Sequence, residues 1–511
     1  MNISDTKKNE DNEKLKSLNS NRKVLSNSVI YSISGILQKC FSFFLLPLYT
    51  AFLSTEDYGV TNIASSFLNT ASFIVSLSLY SAVMRFYVDY KNDKEKLKRF
   101  YGTVISFVFV SSILFISVLS IGRRLLSKYI FVGVSFFPTI AICLLSLVFF
   151  CQHAIYDNIL RSQQKAIKCS ILSVLYFLVT VAGNIVFVVY FKMGANGVLL
   201  SILIATFLYT CAFAIDVFLQ KSVTICIDFR LLKDALHYSI PIVPHDLSTI
   251  LVDLLSKVLI GGANSLSAVG LYSIAVQFGS ISDTLQYYVN QAYTPWLFEQ
   301  LKNKNEECQI SIGHVVRMLC STLGLFIIGI GLFSQDYIFL FLESSYKSAW
   351  HYVPLIIIVY SIKMIYYFYV SIILYYKQAA KRLFIATLSG SLINALLSAA
   401  AIPLWGTYGS IAADTVGIII RVTIVYFISI KCEGIGLHIA DFIKCICIIF
   451  VFMFFGLLPS YIYHIEAFNI LNFMYKSFLI LTYLIILITA YKEDIKILLK
   501  RTRQKRQYLN K

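Results

Sequence analysis

The sequence predicts an all-α polytopic membrane protein of about fourteen transmembrane helices, with two six-helix lobes followed by two additional helices. Composition is the first reason. Of 511 residues, 58% are hydrophobic and 14% charged, whereas a soluble domain carries roughly a quarter charged residues. Mean hydropathy is +0.73. The second reason is segmentation, because apolar runs long enough for a hydrocarbon core of roughly 30 Å recur along the chain. The third is the placement of the 44 Lys and Arg residues. Connections rich and poor in them alternate, and the rich ones mark the cytoplasmic side.

In chain order, residues 1–26 are polar and rich in Asn, Lys and Ser. They lack the apolar core and cleavage site of a signal peptide and read as a disordered cytoplasmic tail. The first six spans are expected at 28–52, 60–84, 102–121, 133–156, 169–191 and 196–219, in a lobe over 27–220. The next six, at 237–260, 268–296, 314–334, 351–376, 383–404 and 407–430, make a second lobe over 221–435. Two additional helices, 440–462 and 470–490, occupy 436–491, and a basic cytoplasmic tail follows over 492–511. Pro241, Pro244 and Pro295 fall in the seventh and eighth spans, where proline can kink a membrane helix without ending it.

An even number of spans puts both termini on one side. About 34 Lys and Arg then lie in cytoplasmic loops and tails. Six lie outside: Arg123, Arg124, Lys128, Lys192, Lys347 and Lys476. That bias supports a multi-pass membrane protein with both termini in the cytoplasm. It also accounts for most of the net charge of +17 through anionic membrane lipid, without nucleic acid. The 11 cysteines sit mostly in apolar runs without a CxxC pair, and imply neither a metal site nor disulfides. No P-loop or nucleophile elbow stands in a plausible loop, so neither an enzyme nor a cofactor is expected.

The chain repeats itself weakly. Tyr58-Gly59-Val60 is echoed by Val269-Gly270-Leu271, Gly194-Ala195-Asn196-Gly197 by Gly406-Thr407-Tyr408-Gly409, and Asn184 by Asn394, all at an offset near 211. Six spans per half make the repeat parallel, with a ligand expected between the halves.

Several of these stretches resemble the Wzx-type polysaccharide repeat-unit flippases of the MATE-like multidrug/oligosaccharidyl-lipid/polysaccharide exporter superfamily. The resemblance is carried by Leu46-Pro47-Leu48-Tyr49-Thr50 with Leu53-Ser54-Thr55-Glu56-Asp57-Tyr58-Gly59, and by Ser239-Ile240-Pro241-Ile242-Val243-Pro244-His245-Asp246. Val269-Gly270-Leu271-Tyr272-Ser273 and the region from Asn394 to Gly409 add to it. It implies two six-helix lobes around a cavity that opens alternately to each side. It also implies a substrate, undecaprenyl-diphosphate-linked oligosaccharide, moved from the cytoplasmic to the outer leaflet for O-antigen, capsule or a related polysaccharide. A polysaccharide polymerase and a chain-length regulator are the partners such a pathway implies. Family members often carry an acidic–basic pair where this chain has Ser256-Lys257.

Charges inside the spans are the candidate site. Lys39, Lys257, Lys363 and Arg421 lie within apolar segments, and Arg85 lies at the inner end of the second. A charge at the bilayer centre costs roughly 2.5–3.5 kcal/mol on insertion scales, so these side chains should face the bundle interior or a wet cavity. As a cationic lining they would receive the pyrophosphate of a lipid-linked sugar. The alternative is internal pairing, Lys257 with Asp253 one turn away or Arg421 with Asp414 two turns away. Lys39 and Lys363 have no acid one turn away on their own helix. Four intramembrane acids, Asp246, Asp253, Asp283 and Asp414, are candidates for coupling to a proton or sodium ion. Other readings are a multidrug/cation antiporter or a peptidoglycan-precursor flippase of the same superfamily. From another class comes a membrane polysaccharide polymerase or ligase, which the short outer loops disfavour.

Overall fold

The computed structural model describes residues 30, 34–303, 306–432 and 437–492, with no side-chain account at 303, 306 and 377. The expected tail over 1–26 and all but the first residue of the tail over 492–511 lie outside the described residues. Among the described residues the secondary structure is helical. The long helices are α1 (Ser34–Phe52), α2 (Thr55–Ser76), α3 (Leu79–Tyr90), α4 (Lys94–Ile121), α5 (Phe136–Ser162), α6 (Ala166–Tyr190) and α7 (Gly194–Gln220). They continue as α8 (Phe229–Ser239), α9 (Val243–Ala263), α10 (Leu266–Asn303), α11 (Glu306–Phe341) and α12 (Val353–Tyr375). The last four are α13 (Leu383–Trp405), α14 (Thr407–Ile430), α15 (Ile439–Ile462) and α16 (Ile470–Ala490).

The chain divides into two compact units, with the boundary inside α9 between Leu254 and Leu255. In the first, α5 packs on α2, α3, α4 and α7, and α6 lies along α7. In the second, α13 and α14 form the closest pair, α12 packs on α10 and α14, and α15 and α16 both lie against α11. Many large apolar side chains are exposed, among them Leu114, Ile121, Phe218 and Phe478. In a membrane protein that apolar exterior faces lipid.

The chain is a multi-pass membrane protein, but among the described residues eleven helices, rather than fourteen, are long and apolar enough to cross a membrane. The number is twelve when α2 and α3 count as one bent span. The expected seventh and eighth spans form helices, α9 and α10, that are too polar. Asp246, Asp253 and Lys257 stand within about three turns of α9, and a stripe of Asp283, Gln286, Asn290 and Thr294 runs along α10. The seventh also starts late: a 3-10 turn at Ile240–Ile242, carrying Pro241, separates α8 from α9. The second span is broken as well. Leu77 (φ 47°) and Ser78 (φ 54°) take left-handed conformations, and α3 leaves at 48° to α2.

The local devices behind the sequence repeat recur in both units. Ser54 caps α2 by accepting from Asp57 N (3.0 Å), and Ser265 caps α10 by accepting from Ala268 N (3.1 Å). Gly194, the first residue of α7, and Gly406, just before α14, share φ 56°. An ideal Cβ would meet Asp57 Oδ1 at 2.9 Å in the first case and Asn264 Nδ2 at 2.6 Å in the second. Gly194→Ala and Gly406→Ala are each expected to destabilise by about 1–2 kcal/mol, the cost of a left-handed non-glycine residue. Thermal unfolding in detergent would show this. Gly262→Ala, at a helical glycine with open space around its Cβ position, is the control; an equal loss there would refute the argument.

Candidate functional site

In the first unit, the break in the second span brings hydroxyls to Asp246. Ser78 Oγ donates to it at 2.9 Å and Tyr80 Oη at 2.5 Å. Ser78 has no solvent exposure. Two turns further along α9, Asp253 accepts from the buried Ser66 Oγ at 2.5 Å. Two expected ion-coupling acids are therefore held by the bent α2–α3 pair.

A second cluster in this unit was missed in sequence: the fourth span was ended at 156, whereas α5 runs to Ser162, and Asp216, inside the expected sixth span, was passed over. On that last turn Asp157 accepts from Tyr209 Oη and stands 4.0 Å from Arg161 and 3.9 Å from His153 Nε2. Asp216 on α7 accepts from Lys168 Nζ, from Tyr156 Oη at 2.6 Å and from Gln220 Nε2 at 2.6 Å. These bonds tie α5, α6 and α7 together. The available signal was the aromatic and ionisable content of a run that hydropathy alone had ended.

In the second unit the polar stripe of α10 faces one of α12. Lys363 Nζ stands 2.8 Å from Asp283 Oδ1, and Tyr367 Oη donates to the same oxygen at 2.9 Å. The ammonium also lies 5.5 Å from the ring centre of Tyr360 and 5.6 Å from that of Tyr367, a cation–π distance. One turn along, Gln286 Nε2 donates to Tyr360 O at 3.0 Å. Two turns along, Asn290 bonds Tyr367 O (2.7 Å) and accepts from Ser371 Oγ (2.6 Å). The spacing 283, 286, 290, 294 keeps one face of α10 turned to α12. Lys363 lacks an acid on its own helix, as expected, and finds one on the neighbouring helix. Both side chains retain access, with exposures of 28% and 29%.

Asp414 on α14 accepts from Asn394 Nδ2 at 2.7 Å and from Tyr272 Oη at 3.2 Å. Arg421, two turns on, donates to Ser391 Oγ at 2.5 Å. Its stem lies against α13 at Gly390, where a Cβ would fall 2.2 Å from Arg421 Cγ. The remaining candidates lie on α1, α3 and α9. Lys39 is on an exposed face of α1, and Lys257 is buried in α9. Arg85 pairs with Asp89 at 2.7 Å on an exposed turn of α3.

Lys476, expected in an outer loop, instead lies within α16 with no exposure. Its Nζ reaches Asp336 Oδ2 at 2.7 Å and Gln335 Oε1 at 2.8 Å on α11. Gln335 also accepts from Ser460 Oγ of α15 at 2.7 Å, and Ser460 accepts from Asn472 Nδ2 at 3.0 Å. The sequence signal was an apolar run that begins six residues before the lysine. Two kinds of intramembrane ion pair thus coexist: one accessible, at Lys363, and one sealed, at Lys476.

Comparison with solved structures identifies the architecture. The fold matches that of the lipid II flippase MurJ in an inward closed conformation with TM-score 0.64 at 16% identity, covering 92% of this chain and 99% of that one. It matches the inward-facing conformation of a multidrug resistance MATE family transporter of the MOP superfamily with TM-score 0.61 at 13% identity, covering 79% and 93%. In sequence, a protein of the Lsg locus of Haemophilus influenzae is 24% identical over 290 residues, 55% of this chain and 68% of that protein. A profile of the family described as "Polysaccharide biosynthesis protein" matches residues 24–301. That match covers more than half of the chain, and the chain therefore belongs to the polysaccharide biosynthesis protein family, built on a MATE-like fold.

Proposed function

We propose that the protein is a flippase that carries undecaprenyl-diphosphate-linked oligosaccharide repeat units from the cytoplasmic to the outer leaflet by alternating access. The product would serve O-antigen, capsule or a related surface polysaccharide. The observation that carries this reading is the accessible Lys363–Asp283 pair between α10 and α12. A diphosphate crossing a low-dielectric layer needs a fixed cation, because an uncompensated ion there is very costly. Lys363 supplies that cation, and Asp283 with the rings of Tyr360 and Tyr367 holds it ready while the site is empty. Substrate phosphate then competes with Asp283 for the ammonium. Asp246, at the break of the second span, is the carboxylate we assign to ion coupling, since discontinuous helices concentrate ion sites in secondary transporters.

Transport in cells lacking their own repeat-unit flippase tests the reading. Expression is expected to restore outer-leaflet delivery of the lipid-linked oligosaccharide. Efflux of a cationic dye, or delivery of a peptidoglycan precursor, without oligosaccharide delivery would overturn it.

Orientation is tested separately. In a background freed of native cysteines, Glu56→Cys and Glu466→Cys should react with an impermeant thiol reagent from outside, and Lys94→Cys should not. Each position is exposed, and the reverse pattern would invert the topology.

A further inference from the structure

A cavity of about 410 Å³ opens in the second unit where α12 ends, α13 begins and α14 ends. A short turn at Lys377–Ala380 joins α12 to α13 there. Tyr376, Gln378 and Arg382 line the cavity from this connection, and Lys431 closes it from the end of α14. The volume falls in the range of ligand pockets.

Its charge separates it from four ion-paired cationic places among the described residues. Lys168 faces Asp216, Arg317 faces Asp441, Lys363 faces Asp283 and Lys476 faces Asp336. Arg382 and Lys431 have no such acid among the described residues, and the described wall of the cavity contains no carboxylate. Cytoplasmic basic residues are ordinarily spread along loops. Here two of them, far apart in sequence, converge on one concavity. The neighbouring polar groups, the Gln378 carboxamide and the Tyr376 hydroxyl, can both donate.

We propose that this cavity is a phosphate-binding site. Arg382 offers a planar fork for two phosphate oxygens and Lys431 a point charge. The phosphate is carried either by a membrane lipid headgroup or by a soluble diphosphate. The site does not rest on the flippase reading, and its test measures binding and not transport.

The full chain is reconstituted in nanodiscs. One arm measures retention of phosphatidylglycerol against phosphatidylcholine by native mass spectrometry. The other measures inorganic pyrophosphate binding by calorimetry in purely phosphatidylcholine discs. Arg382→Ala/Lys431→Ala is expected to weaken the bound species by roughly tenfold to thirtyfold, while Lys91→Ala/Lys94→Ala, which removes the same charge elsewhere, leaves it unchanged. Arg382→Lys/Lys431→Arg keeps both charges and should retain binding, which separates loss of the site from loss of the fold. A loss confined to the first arm assigns a lipid headgroup, and a loss in the second assigns a soluble diphosphate. Unchanged binding in both arms, or an equal loss in the control pair, overturns the proposal.

Discussion

Replacing Lys476 with Met is expected to destabilise the protein by about 3–5 kcal/mol, the range for stranding one member of a buried ion pair. Asp336 would lose its cation while keeping only 5% side-chain exposure, and an ionised carboxylate cannot be rehydrated there. Gln335, held by Ser460 and by Lys476 itself, would lose one of its bonds too. The double replacement Lys476→Met/Asp336→Leu should recover most of the loss, because exchanging both partners for apolar groups leaves nothing unsolvated. Thermal unfolding in detergent, with protease accessibility of α15 and α16, measures both effects. Wild-type stability in Lys476→Met, or no recovery in the double variant, would contradict the assignment.

Lys363→Ala is expected to lower oligosaccharide delivery about tenfold or more at an unchanged protein level. A hydrogen bond to a charged group contributes about 1.5–3 kcal/mol, and this one would act directly on the transported phosphate. The half-accessible pair has less desolvation to lose than the sealed one, so stability should change little. Asp283→Asn should be milder than Lys363→Ala, since it leaves the cation in place. The decisive comparison is again a double replacement. Lys363→Met/Asp283→Leu is expected to fold and yet fail to transport, whereas Lys476→Met/Asp336→Leu should fold and transport. Full delivery by Lys363→Ala would remove the lysine from the transport path.

Much of the architecture was legible because bilayer thickness imposes a single scale on the sequence. Runs of the required length stood out wherever the helix faces lipid, as in α4 and α7. The reading overcounted at α9 and α10. Helices that turn a polar stripe to their neighbours interrupt apolar runs, and hydropathy does not distinguish that stripe from a loop. The left-handed pair Leu77–Ser78 carried no glycine to announce it. The repeat was visible through short matched stretches, among them the glycines at the starts of α7 and α14. At the candidate site, Lys363 was legible as a mid-span charge with no acid one turn away on its own helix. Which acid would supply it was not legible, because Asp283 lies 80 positions away and only helix packing brings it near. Lys476 was misplaced for a related reason: near a span end, a basic residue reads equally as an interfacial anchor or a buried ion.

The acids of α9 also bear on how the chain is made. A segment carrying Asp246, Asp253 and Lys257 is a poor candidate for entering a bilayer on its own. The hydroxyls that receive the two acids, Ser66, Ser78 and Tyr80, belong to α2 and α3, which leave the ribosome much earlier. Synthesis from the N-terminus thus supplies the partners before the polar segment emerges. α10 has the opposite order, since Asp283 emerges before Lys363. During biogenesis α9 can be received by helices already in place, whereas α10 must wait for α12 to follow.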